Sequence, residues 1–236
     1  MAEDEQEKRC ENCIVRQFNN LRALDKEELK QVSNAKITKK IKKGETIFEE
    51  GEKLNGVFCV RDGVSKLSRL SSNGKDQILK LVAKGEVLGQ AALISEEKSE
   101  VSATAVNDMQ VCFIPKEKII TPLKTNPKFT MEVLKTMVND LKESNDGILR
   151  LSQKNVKQRI AQALLYIRKN YGEDDNGYLN LNLTREDLAN VVGTAVESCI
   201  RNISILKKEG YIKLSGKKMA IINSDKLNRF IEDFDN

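Results

Sequence analysis

Histidine is absent from all 236 residues of this chain. That omission removes Ser-His-Asp and Cys-His nucleophile activation, and every zinc site that needs an imidazole. Neither a P-loop nor a GxGxxG pattern occurs, so the two common glycine cradles for nucleotide phosphates are not encoded. Carboxylates are plentiful, but none sits in a context that suggests a catalytic pair, and no enzyme is expected. Tryptophan is missing and aromatics make up only 5%, against 32% charged residues. That is the profile of a soluble, helix-rich protein with a β component. No apolar run approaches the roughly 20 residues that a membrane span requires. The first residues, MAEDEQEKRC, are acidic and lack the apolar core of a signal peptide. The expected location is the cytoplasm.

What is present is most informative near the C-terminus. LTREDLANVVGTAVESCIRNISILKKEG, Leu183 to Gly210, reads as two short helices joined by a tight turn. Thr184 is a candidate N-cap, with Asp187 three residues on in a capping-box pattern. Leu188, Ala189 and Val192 give the first helix an apolar side, and Gly193 supplies the turn. In the second helix Val196, Cys199, Ile203 and Leu206 share one face by the 3.6-residue period. Glu197, Arg201, Ser204 and Lys208 fall opposite. An Arg can bond guanine bidentately and a Glu can accept from cytosine N4, so this pair near the helix start suits a DNA major groove. Between Arg201 and Lys218 there are six basic residues (Arg201, Lys207, Lys208, Lys213, Lys217, Lys218) against one acid, Glu209. Such a cluster can neutralise phosphates. The bland counterpart is a solvated helix face, or a helix pair that contacts protein instead of DNA.

The rest of the chain divides into segments. Residues 1–22 carry the N-terminal cysteines. Residues 23–126 contain short β-branched runs split by Gly44, Gly51, Gly56, Gly63, Gly74, Gly85 and Gly89. With no helical crossover between them, an antiparallel roll is expected, giving an α+β fold. Residues 127–154 form a long helix in which Leu134, Met137, Leu141, Ile148 and Leu151 recur at heptad spacing. They are the expected seam of a parallel dimer, because two-fold DNA half-sites call for a two-fold protein. Residues 155–236 begin with an amphipathic helix and include YLNLNL (Tyr178–Leu183), whose period of two predicts a strand. After the helix pair, YIKLSGKKMAII predicts two more strands with Ser215-Gly216 at the turn. Strands beside a helix-turn-helix make it a winged one, with Lys217 and Lys218 within reach of backbone phosphates.

This order of parts resembles the CRP/FNR family of bacterial transcription regulators over nearly the whole chain. The most specific pieces are KKGETIFEEGE, GEVLGQAAL and VESCIR. The resemblance implies a homodimer on a double-stranded operator, with RNA polymerase as a further partner, and base readout by Glu197 and Arg201. Val196 matches the FNR-type branch, whereas Ile200 departs from both branches, which carry a small residue there. An apolar side chain at that point can meet a thymine methyl.

The resemblance also frames the signal. The cyclic-nucleotide branch carries a glutamate where this chain has Gln90, and an Arg-Ser pair where this chain reads EVSA (Glu100–Ala103). A phosphate needs a cation or clustered donors, so cyclic AMP is not the expected ligand. The FNR branch holds an iron–sulfur cluster on three N-terminal cysteines and one in the roll. Cys10, Cys13 and Cys112 match three of those four positions. The place of the remaining one falls near Phe18 and Asn19. A four-iron cluster ordinarily takes four thiolates, which leaves Cys59, a carboxylate or another non-thiolate ligand for the fourth. Cys59 also reads as a buried small apolar residue, and Cys199 as core. A C-x-x-C in a cytosolic protein equally suits a thiol redox pair or no special role.

Overall fold

A computed structural model describes residues 9–71, 74 and 76–232 of the chain. The acidic start of the sequence, up to residue 8, lies outside the described residues. Two compact units are present, Met1–Lys142 and Glu143–Asn236.

In the first unit, three 3₁₀ turns (Cys10–Asn12, Ile14–Phe18, Asn20–Ala23) lead into α1, Lys26–Ala35. Asp25 and Glu28 close a full capping box at its start. Eight strands follow: β1 Ile37–Ile41, β2 Thr46–Phe48, β3 Gly56–Asp62, β4 Ser65–Leu70, β5 Asp76–Val82, β6 Val87–Leu88, β7 Ser102–Ala105 and β8 Met109–Pro115. They form two four-stranded sheets in the orders β1-β8-β3-β6 and β2-β7-β4-β5. All the pairings are antiparallel, which is the expected roll. A short helix, α2 (Gln90–Ser95), interrupts the strands; α3 (Glu117–Thr125) and the long α4 (Pro127–Gln153) follow them.

The first sheet is buried on both faces. Phe58, Val60 and Val111 point into the space between the sheets, in a core with Phe48, Val82 and Ala103. Val57, Cys59, Cys112 and Ile114 point the other way, under the 3₁₀ turns and the helices, in a core with Val15, Leu29, Phe129 and Val133. Covering on both sides explains why β3, GVFCVRD, shows an unbroken apolar run instead of alternation.

In the second unit, α5 (Val156–Tyr171) starts at a capping box of Asn155 and Gln158. Next come α6 (Arg185–Val192), α7 (Val196–Lys208), the hairpin β9 (Ile212–Ser215) with β10 (Lys218–Ile221), and α8 (Ser224–Glu232). One expectation fails: Tyr178–Leu183 is not a strand. It is an extended segment with a single bridge, Glu173 to Leu179, and one wing bond from Leu179 N–H to the Met219 carbonyl at 2.8 Å. Its period of two is real, since Leu179, Leu181 and Leu183 are all buried. Burial on one side, without a neighbouring ladder, is enough to produce that pattern.

Candidate functional site

The helix pair forms as its sequence directs. The Thr184 hydroxyl oxygen accepts from Asp187 N–H at 2.9 Å and caps α6. The Asp187 carboxylate also accepts from the Thr184 hydroxyl, at 2.7 Å. Gly193 ends α6 with φ of +66°, a left-handed conformation that favours glycine. Leu188, Ala189, Cys199, Ile203 and Leu206 pack inward. Cys199 is wholly buried, and burial pushes its thiol up to about 11, with the Arg185 charge offsetting part of the shift.

This packing turns the opposite face of α7 outward. Glu197, Ile200, Arg201, Ser204, Lys207 and Lys208 are exposed, and Val196 is half-buried. Ile200 leaves 46% of its surface open, so its apolar side chain is available for contact. Glu197 and Arg201 make no bond to other described residues, whereas the Ser204 hydroxyl donates back to the Ile200 carbonyl at 3.0 Å. In the wing, Lys217 is exposed and has no partner among the described residues. Lys218 is not free: its ammonium lies 2.9 Å from Asp174, and that contact raises the lysine and lowers the carboxylate. One guanidinium braces the whole head. Arg159 on α5 donates to the carbonyls of Val192 at 2.8 Å and Lys154 at 2.8 Å, with longer bonds to Gly193 at 3.3 Å and Leu151 at 3.5 Å.

The expected seam on α4 is mostly open. Leu134, Leu141, Ile148 and Leu151 are exposed, as are Met131 and Val138. Met137 differs, because it packs against the core of its own roll beside Phe129 and Val133.

Four cysteines meet in the first unit. Cys10, Cys59 and Cys112 belong to one buried core, and Cys13 packs against it. Cys59 and Cys112 stand directly opposite each other on β3 and β8. Burial pushes the Cys59 thiol up to about 12, with the thiols of Cys112, Cys13 and Cys10 adding to the shift. Burial also raises Cys10, against the opposing pull of Lys36. The Cys10 N–H donates to the Ser33 hydroxyl at 3.0 Å, and the Thr38 hydroxyl lies 3.7 Å from the Cys112 sulfur. No three cysteine or carboxylate side chains converge on one metal-ion position among the described residues.

The cysteine-bearing segment is a strap, Cys10 to Leu24, with an anchor at almost every residue from Asn19 on. Asn19 Nδ2 donates to the Cys59 sulfur at 3.4 Å, and Asn20 Nδ2 donates to Gln90 Oε1 at 3.0 Å. Arg22 Nε donates to Glu132 on α4 at 3.1 Å, and Asn126 Nδ2 donates to the Ala23 carbonyl at 3.2 Å. Gly85 lets the strap close in, since a Cβ there would sit 2.7 Å from Cβ of Phe18. Beside the strap lies a cleft of about 450 Å³ lined by Asn20, Lys80, Glu86, Gln90, Glu100 and Asp140, among others. One of its two lysines is already engaged, with Lys80 Nζ 2.8 Å from Glu86 and 2.7 Å from Asp140, while Lys98 is the other. Burial alone would lower the Lys80 ammonium, but the two carboxylates carry it well above the usual lysine range. The strap and its bonds were beyond sequence reasoning, which saw only a C-x-x-C.

A glycine-punctuated roll followed by a winged helix-turn-helix with an outward Glu/Arg pair defines a DNA-binding transcription regulator. Residues 38–126 match the family model of the cyclic nucleotide-binding domain, and residues 158–230 that of the Crp-like helix-turn-helix domain. The fumarate and nitrate reduction regulatory protein of Escherichia coli strain K12 is 29% identical over 223 residues, covering 92% of this chain and 88% of that protein. The anaerobic regulatory protein of Pasteurella multocida is 28% identical, covering 90% and 78%. A solved crp/fnr-family regulator from Eubacterium rectale shares the fold with a TM-score of 0.77 at 23% identity, covering 92% of this chain and all of that one. FixK2 from Bradyrhizobium japonicum superposes with a TM-score of 0.73, also at 23% identity, over 82% of this chain and 96% of that one. The chain belongs to the CRP/FNR family, in its FNR-like branch, a family of regulators and not of enzymes.

Proposed function

We propose that this regulator binds a two-fold operator as a cytoplasmic homodimer, contacts RNA polymerase there, and takes its signal from the cysteines of the roll. The observation that carries the DNA half is the outward pair of Glu197 and Arg201 on α7, unpaired among the described residues. Arg201 reads a guanine through its fork and Glu197 accepts from a cytosine amine. Ile200 and Val196 modulate the half-site by apolar contact, and Ser204 lies one turn beyond. Lys207, Lys208 and Lys217 neutralise phosphates; Lys218 contributes less while Asp174 holds it. Leu134, Leu141, Ile148 and Leu151, with their exposed neighbours Met131 and Val138, supply the dimer seam.

For the signal, Cys10, Cys13 and Cys112 are the proposed ligands of an iron–sulfur cluster. Their gathering in one core, from a strap and a strand that are distant in sequence, supports this reading. In a four-iron cluster the thiolates would bind different irons, so Cys10, Cys13 and Cys112 would not need to crowd around one ion. When bound, such a cluster supplies reversible reaction with oxygen or electrons. The chain's own residues shield the sulfurs from water with Val15, Leu29 and Phe129. Cyclic AMP is a poor fit to the cleft, because Glu100 lines it and Lys80 is paired with Glu86 and Asp140, which leaves Lys98 as the one further cation of its lining.

Two measurements test the proposal. A selection on random duplexes followed by a salt series should give a palindromic site and an affinity falling steeply with salt. Absence of both would return α7 to a protein-contact role. Anaerobically purified protein should be coloured and contain iron and acid-labile sulfide. A colourless, metal-free protein that binds the operator fully would remove the cluster and leave the regulator.

A further inference from the structure

The register of the first sheet sets Cys59 directly across from Cys112. Directly opposed residues of an antiparallel pair project from the same face, with Cβ atoms about 4.5–5.5 Å apart. That face is the one covered by the strap, and Cys10, Cys59 and Cys112 share its core with Cys13 against it. Packing alone does not account for Cys59. The Asn19 side chain donates an N–H to its sulfur at 3.4 Å, although a neutral thiol is a weak acceptor. A thiolate bound to iron is a better one, and hydrogen bonds to ligand sulfurs are a recognised control on cluster properties. The same Asn19 is fixed from behind, because its Oδ1 accepts from the Leu21 N–H at 3.0 Å. Its amide therefore has one orientation, with the N–H toward the sulfur. The nearest rival is Glu11, between the two strap cysteines, whose Oε2 is buried without a partner. That carboxylate is already held by its own backbone N–H and by Ser33, with Arg9 and Lys36 beside it.

We infer that Cys59 is the fourth thiolate ligand of the sensor and that Asn19 is the positioning residue that donates to it. The inference rests on the iron–sulfur reading proposed above for Cys10, Cys13 and Cys112. It gives a site built as two pairs, C-x-x-C from the strap and a cross-strand Cys59–Cys112 pair from the sheet. On loading, each of the four thiols releases its proton to solvent and its sulfur bonds one iron.

The full chain, reconstituted anaerobically with ferric iron, sulfide and excess thiol as the partial reductant, decides this. Iron, acid-labile sulfide and the visible spectrum are measured for wild type, Cys10→Ser, Cys59→Ala and Glu11→Gln, with far-UV circular dichroism as the fold control. Wild type and Glu11→Gln should load equally, and Cys10→Ser and Cys59→Ala should each hold at least about tenfold less cluster. Because the side chain at 19 already reaches Cys59, a thiol there should compensate, and Cys59→Ala with Asn19→Cys should regain the spectrum. Asn19→Ala keeps all four thiols and should load fully, with a shifted reduction potential and a changed decay rate in air. Full loading of Cys59→Ala beside an empty Cys10→Ser would overturn Cys59 alone, and loss of loading in Glu11→Gln would pass the role to the carboxylate. An Asn19→Ala potential and decay rate equal to wild type would remove the role given to Asn19. Failure of wild type itself to load would overturn the cluster reading and this inference with it.

Discussion

Arg159→Ala is the perturbation with the clearest expected magnitude. The guanidinium of Arg159 serves the carbonyls of Leu151 and Lys154 at the end of α4, and those of Val192 and Gly193 at the end of α6. Helix ends leave carbonyls without intrahelical partners, and a cation there also meets the negative end of the helix dipole. Hydrogen bonds to charged groups contribute about 1.5–3 kcal/mol each when well formed. Two of the four are short, at 2.8 Å; the other two are long, and water can reach the half-buried side chain. A net loss of about 2–3 kcal/mol for the second unit follows. In a domain of this size that is a fall in melting temperature of at least about 10 °C. Hydrogen exchange of the α5, α6 and α7 amides reads the loss unit by unit, and operator affinity should fall with it. Arg159→Lys should recover less than half, since an ammonium has no fork to span two helix ends. A change below about 0.5 kcal/mol in Arg159→Ala, the size expected of an ordinary surface substitution, would refute this reasoning.

Arg201→Ala should lose about 1–3 kcal/mol of specific binding and relax preference at one guanine, whereas Lys208→Ala should weaken all sequences alike and lower the salt slope by about one. Competition binding across single-base operator variants separates the two, and an Arg201→Ala protein with intact preference would remove that residue from readout. Leu141→Glu places a charge in the proposed seam on α4 and should shift sedimentation toward monomer; an unchanged dimer would move the seam elsewhere. Cys199, wholly buried with its thiol raised to about 11, carries little thiolate at pH 8 and should resist alkylation until the unit unfolds. Labelling of native Cys199 at the rate of a free thiol would show that α7 opens more readily than its packing suggests.

Local signals carried the DNA-reading head into the sequence almost intact. Thr184, Gly193 and the α7 period each act within a few residues, so the helix pair could be placed before any fold was known. The roll was legible as a class but not as a sheet order, because pairing of β1 with β8 joins residues far apart in sequence. Met137 was misleading for a related reason. Heptad spacing marks where apolar residues recur, not whether the roll or a second chain covers them, and Met137 is turned toward its own roll. Tyr178–Leu183 shows the same limit, since one-sided burial mimics a strand. The cysteines were readable one by one, whereas their meeting depends on strap and strands folding together. Arg159 was invisible because it bonds backbone carbonyls, which carry no sequence signature.

Four of five consecutive strap residues hold four different parts of the first unit: Asn19 on β3, Asn20 on α2, Arg22 on α4 and Ala23 on the residue before α4. A segment tied at that density does not peel one residue at a time. Freeing any one anchor leaves its neighbours to pull it back, so the strap is expected to open as a single cooperative unit. Disturbance at the sulfur end and release at the Glu132 end of α4 are then the same event seen from two places. In that sense no path is needed between the proposed cysteine site and the long helix, because one short stretch of backbone belongs to both.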